Sequence, residues 1–309
     1  MEPSADDAKQ PNRAPRWIGP ALALSFALNV AALVTPFLET ESLLGRPKLY
    51  SLPRSVELMW SARLYALALL VVAFSIVFPF AKLAVLWLAW RAPAPSERLM
   101  RQLAFVERFG KWSMLDVFIV CLLLSLTGDQ YFIAGRPLEG LPCFLAAIVL
   151  SMVCGEVLAS HFRLPHSPPQ ARAKLGWVLL AALAHIAAAF TPFLQVDSFW
   201  LSSNRVSIAS MARSLFALDW AAWAPALSIA VFVALAPLAG LLTQYRGQHE
   251  WSARWQRWSM LDVFLLALVV YLVEGKSFVP TAIGSGAYWL AVAMGFSLLT
   301  RRVARAAAG

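Results

Sequence analysis

Charge is what this 309-residue chain has least of: Asp, Glu, Lys and Arg make up 14% of it, against 60% hydrophobic residues. A soluble domain, with about a quarter of its residues charged, is excluded on that ground, and a mean hydropathy of +0.65 agrees. Cysteine is scarce as well. Cys121, Cys143 and Cys154 lie in or beside apolar runs and form no CxxC pair. That rules out a disulfide scaffold and a thiolate zinc site, and leaves the three as small buried hydrophobes. No Walker A loop, HExxH or GxSxG element occurs, so no energy-coupling or hydrolytic chemistry is recognisable and the chain is not read as an enzyme. The first 16 residues, MEPSADDAKQPNRAPR, lack the apolar stretch of a signal peptide and read as a disordered cytoplasmic tail.

What the chain has instead is apolar runs, each able to cross a hydrocarbon core with about 20 residues. Eight stand out, at 17–36, 64–90, 113–128, 141–160, 176–194, 223–244, 259–273 and 285–300. Acidic residues number 17 against 26 basic ones, a net charge of +9. In a membrane protein that excess marks cytoplasmic loops rather than a nucleic-acid partner. Placing both termini in the cytoplasm puts 17 of the 26 Lys and Arg inside, eight outside and one, Lys82, within a span. Many of the 13 tryptophans, among them Trp17, Trp60, Trp90 and Trp220, fall near span boundaries, as aromatic belts do.

The chain repeats itself. Trp112-Ser113-Met114-Leu115-Asp116-Val117-Phe118 recurs unchanged as Trp258-Ser259-Met260-Leu261-Asp262-Val263-Phe264, and Thr35-Pro36-Phe37-Leu38 recurs as Thr191-Pro192-Phe193-Leu194. The two anchors stand 77 residues apart in the first half and 67 in the second. The expected fold is an all-α integral membrane protein of eight transmembrane helices, a tandem duplication of four-helix modules. An even number of spans per half gives both the same orientation. The boundaries are a tail at 1–16, a first module at 17–162, a Pro-rich cytoplasmic linker at 163–174, a second module at 175–303 and a C-terminal tail at 304–309. The outer segments after each first helix have room for short extracytoplasmic strands, such as Lys48 to Leu52 and Arg205 to Ile208.

With these residues the chain resembles the paraquat-inducible protein A family, whose members carry tandem four-helix membrane modules with a (G)KWSMLDVF-like signature opening the third helix. Here the signature is Gly110 to Phe118 and Arg257 to Phe264. The resemblance implies a multi-pass protein of the bacterial inner membrane. It would work with a periplasmic MCE-domain protein to move phospholipid or other hydrophobic molecules and so maintain the cell envelope. The better-known members resemble carriers of a four-cysteine zinc ribbon before each module. Those cysteines are absent here, so no metal and no cofactor is carried over.

Polar residues inside apolar spans are the candidates for function. A charged residue near a helix centre costs roughly 2.5–3.5 kcal/mol on insertion scales, so Asp116 and Asp262 should face the bundle interior, a cavity or a partner. Lys82, roughly 13 Å from Arg91 by helical rise, is the natural partner for Asp116, and Gly240 stands in its place in the second half. Asn29 and His185 each lie six residues before the Thr of their TPF anchor. Both residues suit helix-to-helix hydrogen bonding, with a substrate or proton role as the alternative. Glu156 is placed to pair with an arginine at the same membrane face. The expected polar site is thus Lys82, Asp116, Asp262, Asn29 and His185. The readings that compete with lipid transport are a non-transporting scaffold or envelope-stress sensor, whose polar residues only hold helices together, and a proton-coupled small-molecule exporter.

Overall fold

The computed structural model of the chain describes residues 14–42, 48–92, 96–127, 133–162, 173–198, 202–274 and 281–306. The expected N-terminal tail and linker lie largely outside the described residues. In the first half the order is α1 (Ile18–Val34), β1 (Leu38–Ser42), β2 (Lys48–Tyr50), α2 (Leu52–Ser61), α3 (Tyr65–Val71), α4 (Phe78–Arg91), α5 (Glu97–Phe109), α6 (Leu115–Thr127), β3 (Ile133–Pro137) and α7 (Gly140–His161). The second half runs α8 (Leu175–Phe190), β4 (Leu194–Ser198), β5 (Ser202–Val206), α9 (Ile208–Ala217), α10 (Trp220–Ser228), α11 (Ala236–Tyr245), α12 (His249–Trp258), α13 (Leu261–Glu274), β6 (Thr281–Ile283) and α14 (Ser285–Ala306). Each of the eight apolar runs contains a helix. Among the described residues, four stretches are long and apolar enough to cross a membrane: Leu67–Arg91, Gly140–His161, Trp220–Tyr245 and Glu250–Val273. Helices α1 and α8 are shorter, at 17 and 16 residues.

The TPF anchors explain how each half is tied together. Helix α1 stops because Thr35 precedes a proline, whose ring forces the preceding residue out of the helical region, and Thr35 is extended at φ −79° and ψ 144°. Thr35 gives both its N–H and its hydroxyl to the Ala31 carbonyl at 2.8 Å. The Pro36 carbonyl accepts from Gly140 N–H at 3.2 Å, while Phe37 donates to Tyr50 O at 2.9 Å and accepts from Leu138 N–H at 3.0 Å. Thr191, Pro192 and Phe193 repeat the pattern. The Thr191 hydroxyl bonds Ala187 O at 2.6 Å. Pro192 O accepts from Gly286 N–H at 2.8 Å, and Phe193 bonds Val206 O at 2.8 Å and Gly284 N–H at 3.0 Å. One tripeptide thereby satisfies the backbone of a helix end, a sheet and the start of a later helix, as an apolar surrounding requires.

Each anchor leads into a three-stranded antiparallel sheet, ordered β2-β1-β3 in the first half and β5-β4-β6 in the second. Strands at Lys48 and Arg205 were expected; β1, β3, β4 and β6 were not. Proline shapes the long helices as well. Between α3 and α4 lies a π-helical segment, Val72–Val77, and between α10 and α11 another, Ile229–Leu235. Pro79 and Pro237 follow directly. A proline ring crowds the carbonyl four residues earlier, and the wider π turn gives that carbonyl room without ending the helix.

Helices α2, α5, α9 and α12 lie where only connections were expected. Their apolar residues recur every three to four positions among polar ones, as with buried Leu103 and Val106 in α5. Ser96 caps α5 by accepting from Leu99 N–H at 3.3 Å, and Ser207 with Ser210 forms a capping box at α9. Helix α14 continues to Ala306, past the expected end of the second module at 303.

Helix α6 packs on α13, with Phe118 and Phe264 edge-to-face at 5.7 Å and both fully buried. The outward helix faces are apolar: Val34, Leu69, Leu183, Phe190 and Val273 are each more than 60% exposed. A surface of that kind is stable only under a lipid or detergent coat.

The close approach of α14 to the second anchor sets a testable limit. A Cβ on Gly286 would stand 2.3 Å from Thr191 O and 2.8 Å from Phe193 N, whereas one on Gly176 would meet nothing within 4 Å. Gly286→Ala should therefore lose about 1–3 kcal/mol of stability or fail to fold. Gly176→Ala should be neutral or gain up to about 1 kcal/mol from helix propensity. Thermal unfolding of the detergent-solubilised protein reads both.

Candidate functional site

The two signatures meet at the end of the bundle opposite the sheets. In the first half the signature continues from α5 through a 3-10 turn, Gly110–Met114, into α6. In the second it breaks: Ser259 is extended at ψ 119° and α13 starts afresh at Leu261. The amide of Met260, left without a partner in its own helix, donates at 2.9 Å to Phe232 O within the second π segment. The signature tryptophans pack on the same segments, Trp112 against Phe74 at 6.4 Å and Trp258 stacked on Phe232 at 5.5 Å. Each signature is thus seated against the π turn of its own half.

Charge crosses between halves. Lys111 Nζ donates to Asp262 Oδ2 at 2.5 Å, with the side chains 20% and 31% exposed. Glu156, on α7, accepts from three donors of the second half: Arg254 Nε at 2.7 Å, Trp258 Nε1 at 2.8 Å and Arg257 Nη2 at 3.3 Å. Arg257 also bonds Glu107 on α5. The expectation that Glu156 takes an arginine is met, with the partners coming from the other half.

Asp116 and Lys82 do not pair. The Asp116 carboxylate, almost fully buried, accepts its neighbour Val117 N–H at 2.8 Å and so caps its own helix start. The buried Ser75 hydroxyl faces it from the π segment but makes no hydrogen bond of sound geometry. The Lys82 ammonium lies against Gly110, where a Cβ would come within 3.2 Å of it, and has no hydrogen bond among the described residues. Helical rise gave these two residues matching depths, and the side-chain directions differ. The bare backbone of Gly110 offers the ammonium a place that a larger residue would deny it.

Asn29 stays within its helix, donating to Ser25 O at 2.9 Å, and it is the Ser25 hydroxyl that crosses to Ala147 O on α7 at 2.8 Å. His185 is 5% exposed; its Nδ1 lies 2.7 Å from Ala181 O, which fixes the proton there and leaves Nε2 an acceptor without a protein partner among the described residues. Of the five expected polar residues, the structure brings His185 and Asp262 to one place. They line a cavity of about 110 Å³ in the second half, between α8, α11, α13 and α14, that Lys111 enters from the first half. Lys82, Asp116 and Asn29 are not in it. Sequence reading missed Lys111, Glu107 and Arg257 as bridging groups, although Lys111 and Arg257 hold equivalent places before the repeated tryptophan. It also missed Gln244, Gln256 and Arg301 as cavity residues.

Residues 18–162 match the family Paraquat-inducible protein A. That match falls on the first half of the chain and covers just under half of its residues, and there the chain is similar to the family. Relatives named Intermembrane transport protein PqiA, from Escherichia coli strain K12 and from Shigella flexneri, are 30% identical over 142 residues, which is 44% of this chain and 34% of theirs. The chain thus spans about a third of the length of the curated relatives it matches. No solved structure matches it. The chain is a membrane protein related to intermembrane transport proteins, and its Trp112 signature lies inside the matched segment.

If the Lys111–Asp262 pair joins the halves, the two residues must be energetically coupled. Lys111→Met and Asp262→Leu should each destabilise the solubilised protein. The double variant should cost about 1–3 kcal/mol less than the sum, since either single change strands a partly buried charge. Strict additivity in thermal or denaturant unfolding would show that the pair carries nothing.

Proposed function

We propose that the chain is the inner-membrane component of an intermembrane transport system and handles phospholipid or other hydrophobic molecules for the cell envelope. The observation that carries this reading is the family match over residues 18–162 to relatives named for intermembrane transport. Four membrane-length helices and an apolar outer face agree with it. The chain works as a tandem duplication of two four-helix modules, 17–162 and 175–303, with eight spans and both termini in the cytoplasm. The equal strand orders of the two sheets and the paired TPF junctions support the duplication, and the excess of Lys and Arg at the signature end supports the orientation. Its partner is a periplasmic MCE-domain protein, which would receive or deliver the hydrophobic cargo.

In this reading the polar groups serve two purposes. Glu107, Glu156, Arg254 and Arg257 hold the modules to each other, and Asp262, His185 and Lys111 offer a polar place beside apolar walls where a headgroup can rest. Asp116, Asn29 and Lys82 act by holding helices and by keeping the first module closed.

Affinity purification of the tagged full chain from native membranes, with mass spectrometry of proteins and lipids, should recover an MCE-domain protein together with phospholipid. Monodisperse, folded protein that brings down neither would overturn the proposal. Asp262→Ala, expressed at the normal level, should fail to restore envelope integrity in a strain lacking the chain, measured as detergent sensitivity. Full restoration would remove the polar site from the mechanism.

A further inference from the structure

The amphipathic helices at the signature end use their arginines differently in the two halves. On α12, Arg254 and Arg257 are engaged across the module interface, giving to Glu156 and Glu107. On α5, Arg98, Arg101 and Arg108 are all exposed, and none of the three has a hydrogen bond or ion pair among the described residues. At about 100° per residue, Arg98, Arg101, Phe105 and Arg108 fall within an arc of about 80°, and Leu103 and Val106 point the other way. Those two are buried in one cluster with Ile18, Leu86 and Leu158. Phe105 is 55% exposed and packs on Phe109 at 4.6 Å, so an aromatic pair lies among the guanidinium groups. The acids of α5 do not neutralise this face. Glu107 is turned to Arg257, and the exposed Glu97 at its edge leaves three positive charges to one negative.

The surroundings say what meets such a face. Helix α5 packs against α4 and α7, whose outward sides belong to the apolar surface of the bundle; Leu88 on α4 is 56% exposed. The outer side of α5 therefore continues a lipid-covered surface at the end where charge gathers. Guanidinium groups give short, strong hydrogen bonds to phosphate oxygens, and aromatic rings settle at the boundary between headgroups and acyl chains. An acidic protein segment would answer the charge and leave the rings exposed, whereas an anionic lipid surface answers both.

We infer that the outward face of α5 is a binding surface for the headgroups of anionic phospholipid, with Arg98, Arg101 and Arg108 on the phosphates and Phe105 and Phe109 at the acyl boundary. The contact has a route to the module interface, since α5 runs directly into the 3-10 turn Gly110–Met114 and Arg108 stands three residues before Lys111. The surface needs only a membrane and no transported cargo, so it goes beyond the lipid-handling reading, and its failure would leave that reading standing.

The test gives the full chain in detergent an equal mixture of palmitoyl-oleoyl phosphatidylglycerol and phosphatidylcholine and counts bound lipid by native mass spectrometry. The protein should hold phosphatidylglycerol in about tenfold excess at low salt and lose the excess as salt is raised. The triple variant Arg98→Gln, Arg101→Gln, Arg108→Gln should bring the two lipids close to parity in protein whose melting temperature shows it is folded. Arg213→Gln, which removes an exposed arginine of α9 at the sheet end, should leave the excess unchanged. If the triple variant does not fold, Arg98→Gln and Arg101→Gln alone should each lower the excess about twofold. No excess in the unaltered protein, an excess untouched by the α5 variants, or an equal loss in Arg213→Gln would overturn the surface. Displacement of the lipid by soluble glycerol phosphate would overturn it in favour of a free-anion site, and displacement by a polyglutamate peptide in favour of an acidic protein partner.

Discussion

A carboxylate at the start of an apolar helix must find a cation or a ring of donors, and Asp262 finds Lys111 in the other half of the chain. Much of the arrangement depends on that exchange. Beside it α6 packs on α13 with Phe118 edge-to-face on Phe264, and the donors of α12 reach Glu156. The two copies of one heptapeptide do not do the same work: the first caps itself with Asp116 while Lys111, just before it, gives the interface its cation, and the second supplies the anion, Asp262. A duplicated chain gains from such division, because two identical buried acids facing each other would repel, whereas an acid and a lysine attract.

At the opposite end the constraint is the backbone. Polar groups of the main chain cannot be left open in an apolar surrounding, and the Thr-Pro-Phe junction answers this twice with the same set of bonds. The glycines at 140, 284 and 286 permit it, since any side chain there would strike the carbonyl that the junction needs. The π segments before Pro79 and Pro237 are the corresponding device within the long helices, and the second turns its released carbonyl into a seat for Met260.

The helices of the apolar runs were legible because hydropathy averaged over a span leaves little else for such residues to form. The repeated anchors were legible because seven identical residues in a row need no structure to be noticed. The amphipathic helices α2, α5 and α12 were not, since their mean hydropathy is that of a loop and only their three-to-four spacing betrays them, and α9, though apolar, has only ten residues, too few to read as a span. The partner of Lys82 was misjudged for a related reason: helical rise fixes depth and says nothing of which way a side chain turns. Bridges such as Lys111–Asp262 and Glu107–Arg257 join residues some 150 positions apart, and only the packing of the halves reveals them.

The two halves are locked through their signatures, Lys111 to Asp262. Zero-length carbodiimide cross-linking of the intact protein in its membrane, followed by peptide mass spectrometry, tests this directly, because the reaction joins only an amine and a carboxylate already in contact. An isopeptide bond between Lys111 and Asp262 should form, and it should disappear in Asp262→Asn. A bond from Lys111 to Glu107 or Asp116 within its own half, with none to Asp262, would contradict it.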